Sequence, residues 1–562
     1  MPKAQNLDFF AGEARRKALP RGKACATCRC KCDGERPCKQ CRRSADTYDC
    51  QDPTQTKASN VKPVQGVTQS QHRPQLYLDV SLDQERGGHF GGPGHGSRLV
   101  EAWPIKEESS TPTAQSLTLS PSPSSNSSNI RLEQLPPEFL DTLINAVSHN
   151  LPHIGFFLDI SPFLLPLPFH SHDRPLPILL SALCMWGCRF TQSQSAPHPI
   201  YNESAFLLYT LHNIPSSLSP DNNHPQRVLH GIQTHILLSL YFLAQGRSVE
   251  GIFHSNAAVD FALDAELHLI QSLPLPERKF NHEAVVERID AFWTVVLVNN
   301  YSVAAFGAPS AIEFLNMPID TPWPVDVDLV GVCSGREITG AIAGATVSKF
   351  LTGLIVDGFS PLALQAKASI LLECVISLAA QNGVEDERGE NISLDSLEVL
   401  LDQFMLSLPL AGSGPALKAD PGDDAKESRL LVTQTLTNVA IIRLHAPRIN
   451  THPESRTKYM TAAMSVIHIM TTTDLARHAG DPILGVLWAT VGQVFVTELG
   501  SMDSSIGGGD AAGRYLTEQY QDLTYCLETT LTAMRSCSSD NPFIEQLCVR
   551  LEEAYASTLL QN

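Results

Sequence analysis

The sequence lacks the marks of several protein classes. It contains no His-Glu-x-x-His, no Gly-x-Ser-x-Gly and no phosphate-binding Gly-Lys-Ser/Thr stretch, and Gly507-Gly-Gly-Asp510 follows no strand pattern, so no catalytic reading is supported and the chain is expected not to be an enzyme. Its first twenty residues have no apolar core and carry Arg15-Arg16-Lys17, which argues against a secretory signal. An unbroken apolar run of about 18 residues is also missing. The longest candidate, Ile154–Phe169, is interrupted by Asp159 and three prolines, so no membrane partner is expected. Period-two alternation is scarce, which argues against sheets. No short repeat marks a solenoid, and no sustained heptads run through residues 51–130.

What is present is unevenly distributed. The chain has 562 residues, 43% of them hydrophobic, enough for a large core, and a net charge of -18. Residues 1–50 nevertheless carry 12 Lys/Arg against 6 Asp/Glu, leaving 29 against 53 for the rest. A small basic head on a large acidic body points to nucleic-acid contact by the head. Seven of the fourteen cysteines fall in the same stretch, at positions 25, 28, 30, 32, 38, 41 and 50. That stretch has almost nothing apolar to bury, so a hydrophobic core cannot organise it. Cys25-x-x-Cys28 and Cys38-x-x-Cys41, with Asp33-Gly34 and Pro37 as turn formers between them, are pairs that can fold a loop around zinc. In a reducing interior such clustered thiols favour metal over disulfides.

Arg21-Gly-Lys-Ala-Cys25-x-x-Cys28-Arg, then Lys31-Cys32-Asp-Gly-Glu-Arg-Pro-Cys38-x-x-Cys41 and Cys50, resembles the fungal binuclear zinc cluster of transcription factors. The resemblance implies two zinc ions: Cys25, Cys28, Cys32 and Cys38 around one, Cys25, Cys38, Cys41 and Cys50 around the other. It also implies a short basic helix presented to the major groove, typically at CGG triplets, where Arg and Lys suit guanine edges. Arg29 and Lys31 are assigned to phosphate contact, and Arg21, Lys23, Lys39 and Arg42 complete the basic set expected to face double-stranded DNA.

One departure is sharp. The family usually has six residues between its second and third cysteines, and here there are three, Arg29-Cys30-Lys31. Three accounts stand: a mispredicted intron boundary that removes three codons, a genuinely shortened cluster that binds zinc and reads DNA weakly, or a Cys-x-Cys-x-Cys site for Cu(I). The extra Cys30 is either a spectator or a substitute for Cys32.

Behind this block, residues 51–130 read as a disordered linker rich in Gln, Ser, Thr, Pro and Gly. Ile105-Lys106-Glu-Glu108 fits a pattern for attaching small ubiquitin-like modifiers, and Thr111, Ser120 and Ser122 precede prolines, although short patterns in biased sequence also arise by chance.

From residue 131 to 562 the apolar residues recur near a period of 3.6, and the expectation is an all-α domain. Helices are expected around Phe139–Val147, Pro177–Phe190, Val228–Ala244, Gly251–Ile270, Glu283–Ala305, Ile338–Val356, Pro361–Gln381, Leu394–Leu408, Ser428–His445, Lys458–Thr473, Ile483–Leu499, Tyr515–Cys537 and Pro542–Leu560. Loops are expected at 383–391, 411–427 and 501–513. Pro177-Ile-Leu-Leu-Ser-Ala-Leu-Cys-Met-Trp-Gly187, Gln233 to Leu243, Gly246 to Gly251, Ala257 to His268 and Glu287 to Trp293, in that order, are similar to the regulatory domain of the same fungal factors over roughly residues 135–325. Asn300 stands where that family often has Asp.

Trp186, Phe292 and Trp293 read as core aromatics, Cys184 and Cys188 as buried small hydrophobes, and Asp260 with Asp264 as a solvated face. The organisation is then a basic arm (1–20), a zinc cluster (21–50), a linker (51–130) and a helical regulatory domain (131–562). The resemblance implies a nuclear, zinc-dependent regulator of RNA polymerase II transcription. Its partners would be DNA and the transcription machinery, and any homodimer would form through the helical domain. The alternative is a helical interaction protein whose degenerate cluster lacks specific DNA binding.

Overall fold

The computed structural model describes residues 131–164, 174–191, 201–272, 282–314, 316–325, 346–354, 357–381, 393–409, 421–503, 510–538 and 541–560. The basic arm, the cysteine block, the linker with Lys106, Thr111, Ser120 and Ser122, and every residue assigned to zinc or DNA lie outside the described residues.

The described residues are all-α: an isolated bridge at Ile319 is their one strand-like feature. The long helices are α1 (Pro137–Ser148), α2 (Pro177–Thr191), α3 (Glu203–Ser217), α4 (Arg227–Ala244), α5 (Ser248–Asp264), α6 (His282–Phe306) and α7 (Thr346–Leu351). They continue as α8 (Pro361–Gln381), α9 (Leu394–Ser407), α10 (Pro421–His445), α11 (Pro453–Thr472), α12 (Ile483–Asp503), α13 (Asp510–Ser538) and α14 (Pro542–Leu560). Single turns at Leu151–Ile154, Ser161–Leu164 and Leu475–His478 lie between them.

Helix burial follows the apolar pattern of the sequence in most of the body. In α1, Pro137 opens the first turn, where no N–H partner is needed, and Leu143, Ile144 and Val147 face inward. Helices α2 and α4 are buried almost all round, from Ile178 to Arg189 and from Leu229 to Ala244, so other helices must surround them. Packing runs in chain order: α2 lies between α1 and α3 and touches α4, α4 pairs with α5, and α6 crosses both. The long α8 then joins α6 to α10, α10 carries α11 and α12, and α12 holds α13 and α14. The corner between α4 and α5 is closed by Gly246 at φ 69, with its N–H bonded to the Leu243 carbonyl and the Arg247 N–H to the Phe242 carbonyl. This pair of hydrogen bonds satisfies two carbonyls at the end of α4 and needs a residue that tolerates positive φ. In α12, Gly485 and Gly492, two turns apart, sit against Ile544 and Leu551 of α14, where an added Cβ would collide.

Several boundaries differ from expectation. Helix α3 was hidden by its mixed sequence and internal Pro215, yet Asn202 caps it by accepting from the Ala205 N–H at 3.0 Å. Helices α10 and α13 begin at Pro421 and Asp510, inside stretches expected to be loops, and α12 runs on to Asp503. Proline and acidic residues are at home in a first turn, where N–H groups are free and the dipole is positive. Helix α5 stops at Asp264, where Glu266 turns left-handed at φ 54 and Leu267–Leu269 form a 3-10 turn instead. Helix α7 is described over Thr346–Leu351, and residues 338–345 of the helix expected there lie outside the described residues.

The absence of an unbroken apolar run also proves a poor test for membrane-length helices. By length and composition alone, Ala284–Phe306, Pro361–Ala380 and Ile483–Met502 could cross a membrane, but 72% to 83% of each such stretch is buried against the other helices. Their apolar character is accounted for by the core.

Candidate functional site at a buried polar centre

Four elements bring polar side chains together at the middle of the helical body. Arg429 of α10 donates from Nη1 to Gln365 Oε1 of α8 at 2.8 Å. Gln365 Nε2 donates to Tyr301 Oη of α6 at 2.7 Å. Tyr301 Oη donates to Asp481 Oδ2, just ahead of α12, at 3.1 Å. Asp481 Oδ1 accepts from the Ile483 N–H at 3.1 Å. The chain is continuous, and each bond polarises the next in surroundings of low dielectric.

Around this chain the ionisable groups are displaced from their ordinary values. Burial pushes the Asp481 carboxyl up to about 6, against the pull of Ile483 N–H, Tyr301 and Arg429. Burial likewise raises Asp290 of α6 to about 7, with Arg429 opposing and Glu287 assisting. His153, on the turn after α1, is lowered to about 4 by burial and then by Arg429 and His478. One guanidinium faces two enclosed carboxyls, so charge balance favours one proton held on the acids. The hydrogen-bond chain ties α6, α8, α10 and the segment leading into α12 together around these groups. His478 extends the set: its Nδ1 lies 3.1 Å from Ser428 Oγ and its Nε2 lies 3.5 Å from Glu427 Oε2.

Two further constellations lie outside this chain. Lys367 of α8 is 1% exposed, with its Nζ donating to the carbonyls of Gly358, at 2.9 Å, and Asp357. Its ammonium lies 4.9, 5.3 and 5.5 Å from the ring centres of Trp323, Phe359 and Phe350, a box of π faces that partly replaces lost hydration. Burial still lowers it to about 8, with Asp357 opposing. On facing helices α4 and α5, His235 Nδ1 and His254 Nδ1 lie 2.9 Å apart, so one ring donates and the other accepts. Burial and His254 hold His235 down to about 3, and burial holds His254 to about 4, so the pair is neutral near pH 7.

The residues singled out from sequence within the body fall where packing put them. Trp293 is fully buried, stacks on Trp323 at 4.2 Å and donates to the Pro322 carbonyl at 2.7 Å. Trp186 donates to the Leu237 carbonyl, and Phe292 is core. Cys184 and Cys188 are buried, and burial pushes the Cys188 thiol up to about 12 and that of Cys184 higher still, so both stay protonated. Asp260 and Asp264 are exposed. Asn300 donates to Ser369 Oγ at 3.1 Å and accepts from Asn299, joining α6 to α8. None of the polar-centre residues was expected: their partners stand 64 to 180 positions apart, and no local spacing announces them.

Residues 164–332 match the model of the fungal specific transcription factor domain. The chain is a regulator of transcription. The matched segment takes in α2 to α6, and with them Asp290 and Tyr301, while Gln365, Arg429 and Asp481 lie beyond it. The hydrogen-bond chain therefore fastens the matched domain to the helices that follow. No curated protein matches the chain.

Proposed function

We propose that the protein is a nuclear, zinc-dependent regulator that binds specific promoter DNA through residues 21–50 and receives its signal through the helical body. The observation that supports this most is the order along the chain: a basic cysteine block with two Cys-x-x-Cys pairs, followed by a fungal specific transcription factor domain. As a donor set, the thiols of Cys25, Cys28, Cys32, Cys38, Cys41 and Cys50 suit zinc, whose thiolate sites need no apolar core. Bound zinc would supply folding energy to the block. Arg29 and Lys31 would neutralise phosphate, with Arg21, Lys23, Lys39 and Arg42 around them, and CGG-type elements are the targets expected of such a cluster.

Metal analysis of the reduced full-length protein is expected to find two zinc ions per chain, and selection from random duplexes is expected to enrich a CGG-type element. Protein that lacks zinc would sink the reading. The step of three residues between Cys28 and Cys32 favours a second reading, a helical interaction protein with a degenerate cluster. Zinc-loaded protein that enriches no motif would favour it.

A further inference from the structure

Arg443 lies in the last turn of α10, which ends at His445. Part of the residue is exposed, while its guanidinium is enclosed between α11 and α12. Other enclosed arginines have acids in reach: Arg189 stands 3.6 Å from Glu203, and Arg429 faces Asp290 and Asp481. Arg443 has none among the described residues. Its Nη2 donates one long bond, 3.5 Å, to Thr490 Oγ1, and its electrostatic neighbour is the neutral hydroxyl of Tyr459. Thr490 Oγ1 already donates to the Val486 carbonyl at 3.0 Å, so it can only accept from Arg443 and orient it. Tyr459 is 5% exposed, and among the described residues its hydroxyl has no hydrogen-bond partner. The nearby Glu498 is neutralised by Arg456.

These free donors are not sealed off. Among the described residues, the fully buried side-chain nitrogen and oxygen atoms without partners are Ser255 Oγ, His268 Nδ1, Gln434 Oε1 and Trp488 Nε1, so the unpaired atoms of Arg443 and Tyr459 touch space that water can enter. An enclosed cation without an anion is costly, and a guanidinium presents a planar fork of N–H groups matched to an oxyanion. We infer that Arg443 and Tyr459, with Thr490 orienting the guanidinium, form a binding site for the oxyanion group of a small molecule, a carboxylate or a phosphate. The site stands on α10, α11 and α12 alone and does not depend on the reading of the cysteine block.

The test is thermal unfolding of the full-length protein in sodium phosphate or sodium acetate, against sodium chloride at equal ionic strength. A saturable rise of about 2 °C is expected with one of the two oxyanions, and which one distinguishes phosphate from carboxylate ligands. R443Q should abolish the rise, and Y459F, which keeps the ring and the charge, should weaken apparent affinity about tenfold. No rise over chloride in either ion, or an equal rise in a folded R443Q protein, overturns the site. Should R443Q not fold, an unchanged affinity in Y459F overturns it.

Discussion

The cysteine block and the helical body carry their chemistry in opposite ways. In the block, the reactive groups are adjacent in sequence, and the spacing of Cys25, Cys28, Cys38 and Cys41 is what carries the proposal of a zinc site there. In the body, the polar centre is assembled from Tyr301, Gln365, Arg429 and Asp481 on four elements, and spacing says nothing. A metal site made from local ligands can organise a stretch that has no core. A network made from distant ones exists only after a core has formed. The two should therefore fail independently, and mutations can separate them.

The largest effect is expected in the block. C38S removes a thiolate that the resemblance gives to both zinc ions, so specific DNA binding should be abolished in a gel-shift titration while the melting temperature of the helical body stays within error of wild type. A C38S protein that still binds a selected element would break the contrast.

Next comes the network. Y301F deletes the hydroxyl that accepts from Gln365 and donates to Asp481, leaving both buried without that partner. Denaturant unfolding should show a loss of about 1–3 kcal/mol with zinc content unchanged. Loss of zinc on this substitution would show that the two regions are coupled after all.

The smallest effect sharpens the electrostatics. Asp290 is raised to about 7 in the folded protein, far above an exposed carboxyl. A raised acid holds its proton in the folded state, so its favourable contribution is complete at low pH and is lost as pH rises toward 7. D290N should therefore be more stable than wild type at pH 8, and the advantage should shrink steadily as pH falls and disappear near pH 4. The buried histidines run the other way. His153, His230, His235 and His254 are all lowered to between about 3 and about 4, so they add stability as pH rises from that range toward 6.5. Urea midpoints across pH 4 to 8 would resolve both slopes.

The all-α class was legible because most of the long helices carry apolar residues at helical spacing, and α8 and α14 appear at the expected residues, Pro361–Gln381 and Pro542–Leu560. Helix α3 was not, because its cap is a single Asn202 and its face is broken by Pro215. The starts of α10 and α13 were missed because glycine and aspartate signal a turn in isolation and a first helical turn in context. Trp186, Trp293, Cys184 and Cys188 could be assigned to the core since apolar neighbours surround them in sequence. Lys367 could not, because nothing near it in the chain reveals Trp323, Phe350 and Phe359 closing around its ammonium.

The corner at Gly246 has a practical consequence. The glycine packs against Phe543 and Gln546 of α14, and Phe306 at the end of α6 meets Phe543 at 5.7 Å. The helix α14 thus seals a seam made by segments more than two hundred residues earlier. The matched segment, 164–332, ends well before the α14 residues that pack on α4 and α6. A truncated clone ending there would bare the apolar flanks of α4 and α6 to solvent, and a premature stop anywhere before α14 would leave the whole body unlatched.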